Sequence, residues 1–179
     1  MFSISVTEII INHCKGQASK FNLGHRYTAN GTPEQQLTGI IGQNVILNLF
    51  DLGNFNGEDG FDNGVDLVFN NHKIDVKTMG RTTAVKSSYT NNFIGLQDYF
   101  DPDIYIFCSF NKTNDVLTVC GWISKKDFKE KRRFYPKGSI RTRYDGSTFE
   151  TFSDLYEIDN TDLNTANSIE DLKNQLLTI

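Results

Sequence analysis

The stretch Gly64-Val65-Asp66-Leu67-Val68-Phe69-Asn70-Asn71-His72-Lys73-Ile74-Asp75-Val76-Lys77-Thr78 constrains this chain more than any other. Two runs with period-two alternation flank a pair of asparagines, residues that tolerate positive φ, so the pattern predicts strands over 65–69 and 73–78 joined by a two-residue turn. In that register Phe69 faces His72, Leu67 faces Ile74 and Asp66 faces Asp75. Alternation then gathers Leu67, Phe69, Ile74, Val76 and Thr78 on one face of the hairpin, with Asp66, Asp75 and Lys77 on the other.

Two carboxylates opposed across strands, with Cβ atoms roughly 5 Å apart, repel, and a sheet gains nothing from the pairing. A divalent cation removes the conflict. Oxygen ligands of this kind suit Mg²⁺ or Mn²⁺, which keep several waters and take one or two carboxylates together with phosphate oxygens of a substrate. A lysine two residues on can orient a metal-bound water or stabilise charge on a phosphate. Because an ordinary lysine titrates near 10.4, charge stabilisation suits Lys77 better than general-base work.

Around this hairpin the pattern is that of one α/β unit. Residues 3–14 carry Ile4, Val6, Ile9, Ile10 and Ile11 and are expected to be a short helix, followed by an irregular connection over 15–31. A helix opens at Thr32 as N-cap with Pro33 in its first turn and runs to about Phe50, with Leu37, Ile41 and Val45 on one face. Gly39 and Gly42 weaken that helix and point to a close neighbour. The turn-rich segment 51–64 fails as a calcium loop, because Leu52 and Asn63 would stand where carboxylates are needed, so it reads as a plain loop. A second hairpin is expected from residues 104–110 and 116–123. Beyond it come a helix capped by Ser124 and Asp127, a strand over 155–158, and a terminal helix over 168–177 capped by Ser168 and Asp171.

The net charge of −4 hides a segregation. Between Lys125 and Arg143 nine basic residues stand against two acids, a local +7, which leaves −11 for the rest of the chain. From Asp145 to Asp171 there are eight acids and no Lys or Arg. Cys14, Cys108 and Cys120 include no C-x-x-C pair and are expected to be reduced core or surface thiols; His13, His25 and His72 are expected to be surface or structural histidines. No apolar run approaches the ~20 residues that span a bilayer, and the first residues lack a signal-peptide pattern. A cytoplasmic chain without a membrane partner is expected.

The combination Val65-Asp66, eight residues, then Asp75-Val76-Lys77, preceded by a helix and followed by further strands and helices, resembles the PD-(D/E)XK nuclease superfamily. The resemblance covers about residues 32–123, extending towards 158. It implies a restriction-endonuclease-like fold: a mixed β-sheet core flanked by helices. It also implies a Mg²⁺-dependent (or Mn²⁺-dependent) nuclease acting on nucleic acid, DNA foremost, with a homodimer as the arrangement suited to double-strand cutting. Asp66 and Asp75 would hold the metal, the carbonyl of Val76 would add a ligand, and Lys77 would serve the attacking water. Val65 replaces the name-giving proline. Many relatives place a glutamate on the preceding helix after Gly-x-x-Gly; here Gly39-Ile40-Ile41-Gly42 is followed by Gln43, and Glu34 is the nearest acid. On a helical wheel Glu34 lies with Leu37 and Ile41 while Gln43 falls nearly opposite.

Two other acid-x-Lys triplets, Asp127-Phe128-Lys129 and Asp171-Leu172-Lys173, fall on expected helices, where i and i+2 point about 200° apart. A nuclease must hold a polyanion, and Lys125, Lys126, Lys129, Lys131, Arg132 and Arg133, interleaved with Phe128, Phe134 and Tyr135, are the expected nucleic-acid contacts. The whole chain, 1–179, is expected to be a single nuclease domain with its core at about 32–158. The alternative is a catalytically silent nucleic-acid-binding or assembly module that keeps the fold, which the acidic balance and Gln43 would suit.

Overall fold

In the computed structural model, which describes residues 1–21, 31–59, 63–143 and 146–179, the chain begins with β1 (Phe2–Ser5), α1 (Glu8–Lys20) and α2 (Pro33–Leu49). The hairpin β2 (Leu67–Phe69) and β3 (His72–Arg81) follows, then β4 (Thr90–Ile94), β5 (Ile104–Asn111) and β6 (Val116–Ser124). The last third holds α3 (Lys125–Lys131), β7 (Arg133–Tyr135), β8 (Ile140–Thr142), β9 (Thr148–Glu150), β10 (Leu155–Asp159) and α4 (Ile169–Leu177).

The central sheet has the order β1-β6-β5-β3-β2, with β3 and β5 parallel and every other pair antiparallel. This is a mixed α/β architecture. Strand β5 lies in the middle, and residues 104–110 are all buried, as a strand covered on both faces requires. One face, through Ile74, Val76, Ile104 and Ile106, packs on α1, α2 and α4. The opposite face, through Tyr105, Phe107 and Ile123, packs on Phe93 of β4, Phe128 of α3 and Ile158 of β10. A smaller sheet of order β4-β10-β7 lies on that second side, and β8 and β9 form a separate two-stranded hairpin.

Helix α2 starts as expected. Thr32 Oγ1 accepts from the Gln35 N–H at 3.2 Å and the Gln35 side chain accepts from the Thr32 N–H at 2.9 Å, a closed capping box. Of the two mid-helix glycines, Gly42 marks the expected close neighbour, since a Cβ there would collide with Thr78 Oγ1 where α2 lies directly against β3, whereas a Cβ at Gly39 would meet nothing within 4 Å. The caps Ser124 and Ser168 accept from Asp127 N–H and Asp171 N–H. Both decoy triplets start on these helices, α3 and α4.

Several expectations are corrected. Residues 3–14 are not one helix: Phe2–Ser5 is a strand because β6 offers it an edge, and the helix begins after the Thr7 cap and runs on to Lys20, into the stretch read as irregular. Strand β3 extends to Arg81, held by parallel pairing with β5 through Asn111, and β4 lies between the two hairpins, where no strand is expected from the sequence. Strands β7, β8 and β9 were not foreseen; each is three residues long and depends on its partner strand. Among the described residues no helix is long and apolar enough to cross a membrane. All three cysteines are buried and unpaired, and burial pushes the Cys14 and Cys120 thiols up to about 11, which keeps them protonated and inert. The ring Nε2–H of His13 donates to Phe55 O at 2.8 Å and that of His72 to Ile179 O at 3.1 Å, structural roles as expected. His25 lies outside the described residues.

Candidate active site

The turn of the hairpin has the expected form, with Asn70 at φ 48° and Asn71 at φ 64°. Its register is as read at two positions, where Phe69 opposes His72 and Leu67 opposes Ile74, but the strand starts at Leu67 rather than at residue 65 and the expected pairing of Asp66 with Asp75 is not formed. Just beyond the paired residues the backbone departs from a plain ladder, because the Asp66 N–H donates to Ile74 O at 2.9 Å. The Asp66 carboxylate then turns along β3, and its Oδ2 accepts from the Val76 N–H at 2.6 Å. This bond closes the edge of β3 where β2 has ended.

Asp75 is 2 % exposed, and its Oδ2 lies 2.6 Å from Lys77 Nζ. A buried carboxylate needs such a counter-charge. The Lys77 ammonium also lies 5.5 Å from the centre of the Phe93 ring, so its stem crosses from β3 towards β4. Parallel pairing sets Asp75 beside Tyr105 and Lys77 beside Phe107 on the same face. The Tyr105 hydroxyl is buried with no hydrogen-bond partner among the described residues, and burial, with the Asp75 charge nearby, pushes its phenol well up.

The carboxylates are thus not left to repel each other across the strands, as the bare pattern suggested. Asp66 is tied to a main-chain N–H and Asp75 to an ammonium. Protein groups therefore offset part of the conflict for which the sequence alone offered only a cation.

Asp66, Asp75, Val76 and Lys77 all line one cleft of about 710 Å³, and the lining also includes Glu34 and Gln43 of α2. The fold therefore brings together every catalytic and metal-binding residue expected from the sequence. Glu34 is exposed and its Oε1 lies 2.6 Å from Nζ of Lys112, the first residue after β5. Gln43, placed opposite Glu34 by the helical wheel, reaches the same cleft. Sequence spacing did not point to the other lining residues, among them Asn92, Gln97, Lys112, Phe149 and Phe152. They come from segments far apart in the chain, and no local motif marks them.

The basic segment is different in structure from its appearance in sequence. Arg132 makes a two-pronged pair with Asp98, Arg133 with Asp159 at 2.8 Å on both prongs, and Arg141 with Glu157 at 3.1 and 2.8 Å. Lys125 lies 2.8 Å from Asp101, and Lys131 donates to Asp162 O at 3.1 Å. Hydrogen bonds from the guanidiniums hold the Asp98 and Asp159 carboxyls below their usual range. Much of the basic block therefore meets the chain's own acids. Lys126 and Lys129 are exposed on α3.

Comparison with protein-family models, with curated proteins and with solved structures finds no match for this chain.

Proposed function

We propose that the protein is a metal-dependent nuclease of restriction-endonuclease-like fold, hydrolysing phosphodiester bonds, DNA foremost, in the cleft between α2 and β3. The observation that carries this reading is that Asp66, just ahead of β2, and Asp75 and Lys77 of β3 line the same large cleft as Glu34. The mixed sheet with a helix ahead of the central hairpin agrees with such a fold.

The donor set fits Mg²⁺ or Mn²⁺. Asp66 and Asp75 offer hard carboxylate oxygens, Val76 a carbonyl, and no His or Cys lines the cleft among the described residues. Among those residues no cluster of three or more His, Cys, Asp or Glu is present, so an ion here would keep waters and take phosphate oxygens, as Mg²⁺ commonly does. When bound, such an ion supplies an activated water and neutralises phosphate charge. The chain's own part is positional. The Val76 N–H orients Asp66, the Lys77 ammonium holds Asp75, and that same ammonium stands ready to face the charge that builds on a phosphate.

One observation favours the silent alternative, a nucleic-acid-binding or assembly module: Lys77 already occupies Asp75, and Glu34 is engaged by Lys112. A cleavage assay on single-stranded DNA and on supercoiled plasmid, each with Mg²⁺, Mn²⁺ or EDTA, separates the two. The nuclease reading expects metal-dependent cleavage that Asp75→Asn and Lys77→Ala each lower by about 100-fold or more. Cleavage by either variant at the wild-type rate overturns it.

A further inference from the structure

Part of the lining of the cleft comes from β9 and the segment that links it to β10, and it carries two aromatic rings. Phe152 lines the cleft yet is 68 % exposed. A phenylalanine this open in water contributes little to the fold, but its backbone is firmly held. The preceding Thr151 is buried, its N–H donates to Ser139 O at 2.9 Å, and its O accepts from Gly138 N–H at 2.8 Å. Its hydroxyl accepts from Ser139 N–H at 3.0 Å and donates to Pro136 O at 2.8 Å. Phe149 lines the cleft as well, with the Arg143 guanidinium 4.5 Å from its ring centre. The exposed ring is thus presented from a fixed backbone.

Charge argues in the same direction. Among the described residues lining the cleft, the cations are Lys77 and Lys112, each already 2.6 Å from a carboxylate, and the acids are Glu34, Asp66 and Asp75. Such a lining cannot grip a duplex backbone by phosphate neutralisation, which is how duplex affinity normally arises. The arginines that could have done so are engaged by Asp98, Glu157 and Asp159. A cleft of about 710 Å³ also has the size of sites that enclose one small ligand. Bases in a duplex are stacked on each other and offer no free face, whereas unpaired bases stack on aromatic side chains.

We propose that this cleft takes single-stranded polynucleotide, with Phe152 as the platform on which an unpaired base stacks beside Asp66 and Asp75. The inference deepens the nuclease reading and rests on it for the identity of the ligand as nucleic acid. Inside the cleft phosphate is left to the metal site, and the ring supplies an affinity of its own that depends on neither metal nor salt.

The test is fluorescence anisotropy in EDTA with labelled single-stranded DNA, single-stranded RNA of the same sequence, and the corresponding DNA duplex. Wild type is expected to bind a single strand more tightly than the duplex, and the two single-stranded arms decide which sugar is preferred. Phe152→Ala should weaken single-strand binding about tenfold or more, without changing the slope of log K against log salt. Phe152→Trp should retain binding, and Phe152→Leu, apolar but without a π face, should not. Because the ring is exposed, an unchanged melting temperature is expected for all three. Absence of single-strand binding, equal affinity for the duplex, or full affinity in Phe152→Ala or Phe152→Leu overturns the inference. The nuclease reading is judged separately: if Asp75-dependent cleavage holds while Phe152→Ala is neutral, only the stacking platform falls. If no substrate is cleaved while Phe152-dependent binding persists, only the nuclease reading falls.

Discussion

The Nζ of Lys77 lies 2.6 Å from Oδ2 of Asp75, two residues along the same strand and on the same face. Both side chains are largely enclosed, at 16 % and 3 % exposure. Removing one partner of an enclosed pair is costly because the other charge loses its counter-ion. Lys77→Met is therefore expected to lower stability by about 3 kcal/mol in urea denaturation, and adding Asp75→Asn should restore part of it. Millimolar Mg²⁺ should raise the melting temperature of Lys77→Met more than that of wild type, since a cation replaces the ammonium. Equal stability of wild type and Lys77→Met would show that the pair carries no weight.

Asp66 tests a different bond. Asp66→Ala leaves the Val76 N–H without the acceptor now at 2.6 Å, and a loss of about 1–3 kcal/mol is expected. Asp66→Asn keeps an acceptor oxygen and should lose less. Amide exchange at Val76 should speed up most in the alanine variant; unchanged exchange there would count against the bond.

Gly42 and Thr78 set the distance between α2 and β3. A methyl group at position 42 would meet Thr78 Oγ1 at 1.8 Å and its Cβ at 2.8 Å, both backed by the strand. Gly42→Ala is expected to destabilise by about 1–3 kcal/mol. Thr78→Ala in the same chain should recover part of that loss, because it removes the closest atom. Two effects that simply add in a double-mutant cycle would place the strain elsewhere.

Acid should weaken the fold in a defined window. Hydrogen bonds from Arg132 and Arg133 lower the carboxyls of Asp98 and Asp159 in the folded state. A group whose folded value is depressed adds stability above its unfolded value, about 3.9 for Asp, and loses it as pH falls through the folded one. Stability should therefore be flat at neutral pH and decline below about pH 4. Arg133→Met should be less stable at pH 7 and show a shallower decline. An equal decline in both proteins would show that Asp159 is not responsible.

The basic segment is expected to divide in binding experiments. Reversal of exposed Lys126 and Lys129 to glutamate should flatten the slope of log K against log salt by roughly one unit for each phosphate no longer neutralised, with the melting temperature kept. Arg132→Glu and Arg133→Glu should instead lower the melting temperature, by setting a like charge against Asp98 or Asp159. An unchanged slope for the lysine reversals would leave α3 outside any nucleic-acid interface.

What the sequence determined by itself is local. The asparagine turn, the hairpin register, the caps at Thr32, Ser124 and Ser168, and the two strands around Lys112 all follow from interactions within a few residues. Side-chain chemistry and φ preference are enough to specify these. The shared face of Asp75 and Lys77 belongs to the same class, since period two dictates it, whereas the ladder stops at Leu67 and the Asp66 carboxylate turns to the Val76 N–H instead of opposing Asp75.

Tertiary structure alone decided the rest. Strand β1 exists because β6 gives Phe2–Ser5 an edge, and β3 runs on to Arg81 because β5 lies parallel beside it. The charge block at 125–143 looked like a free basic face, but Asp98, Glu157 and Asp159 arrive from other elements to engage its arginines. Likewise Phe152 reaches the cleft only through a hairpin whose residues lie some 75 positions beyond Asp75 in the chain. Short-range patterns carry no record of such meetings, because a long-range contact depends on how whole elements pack, and many different sequences would serve at each end.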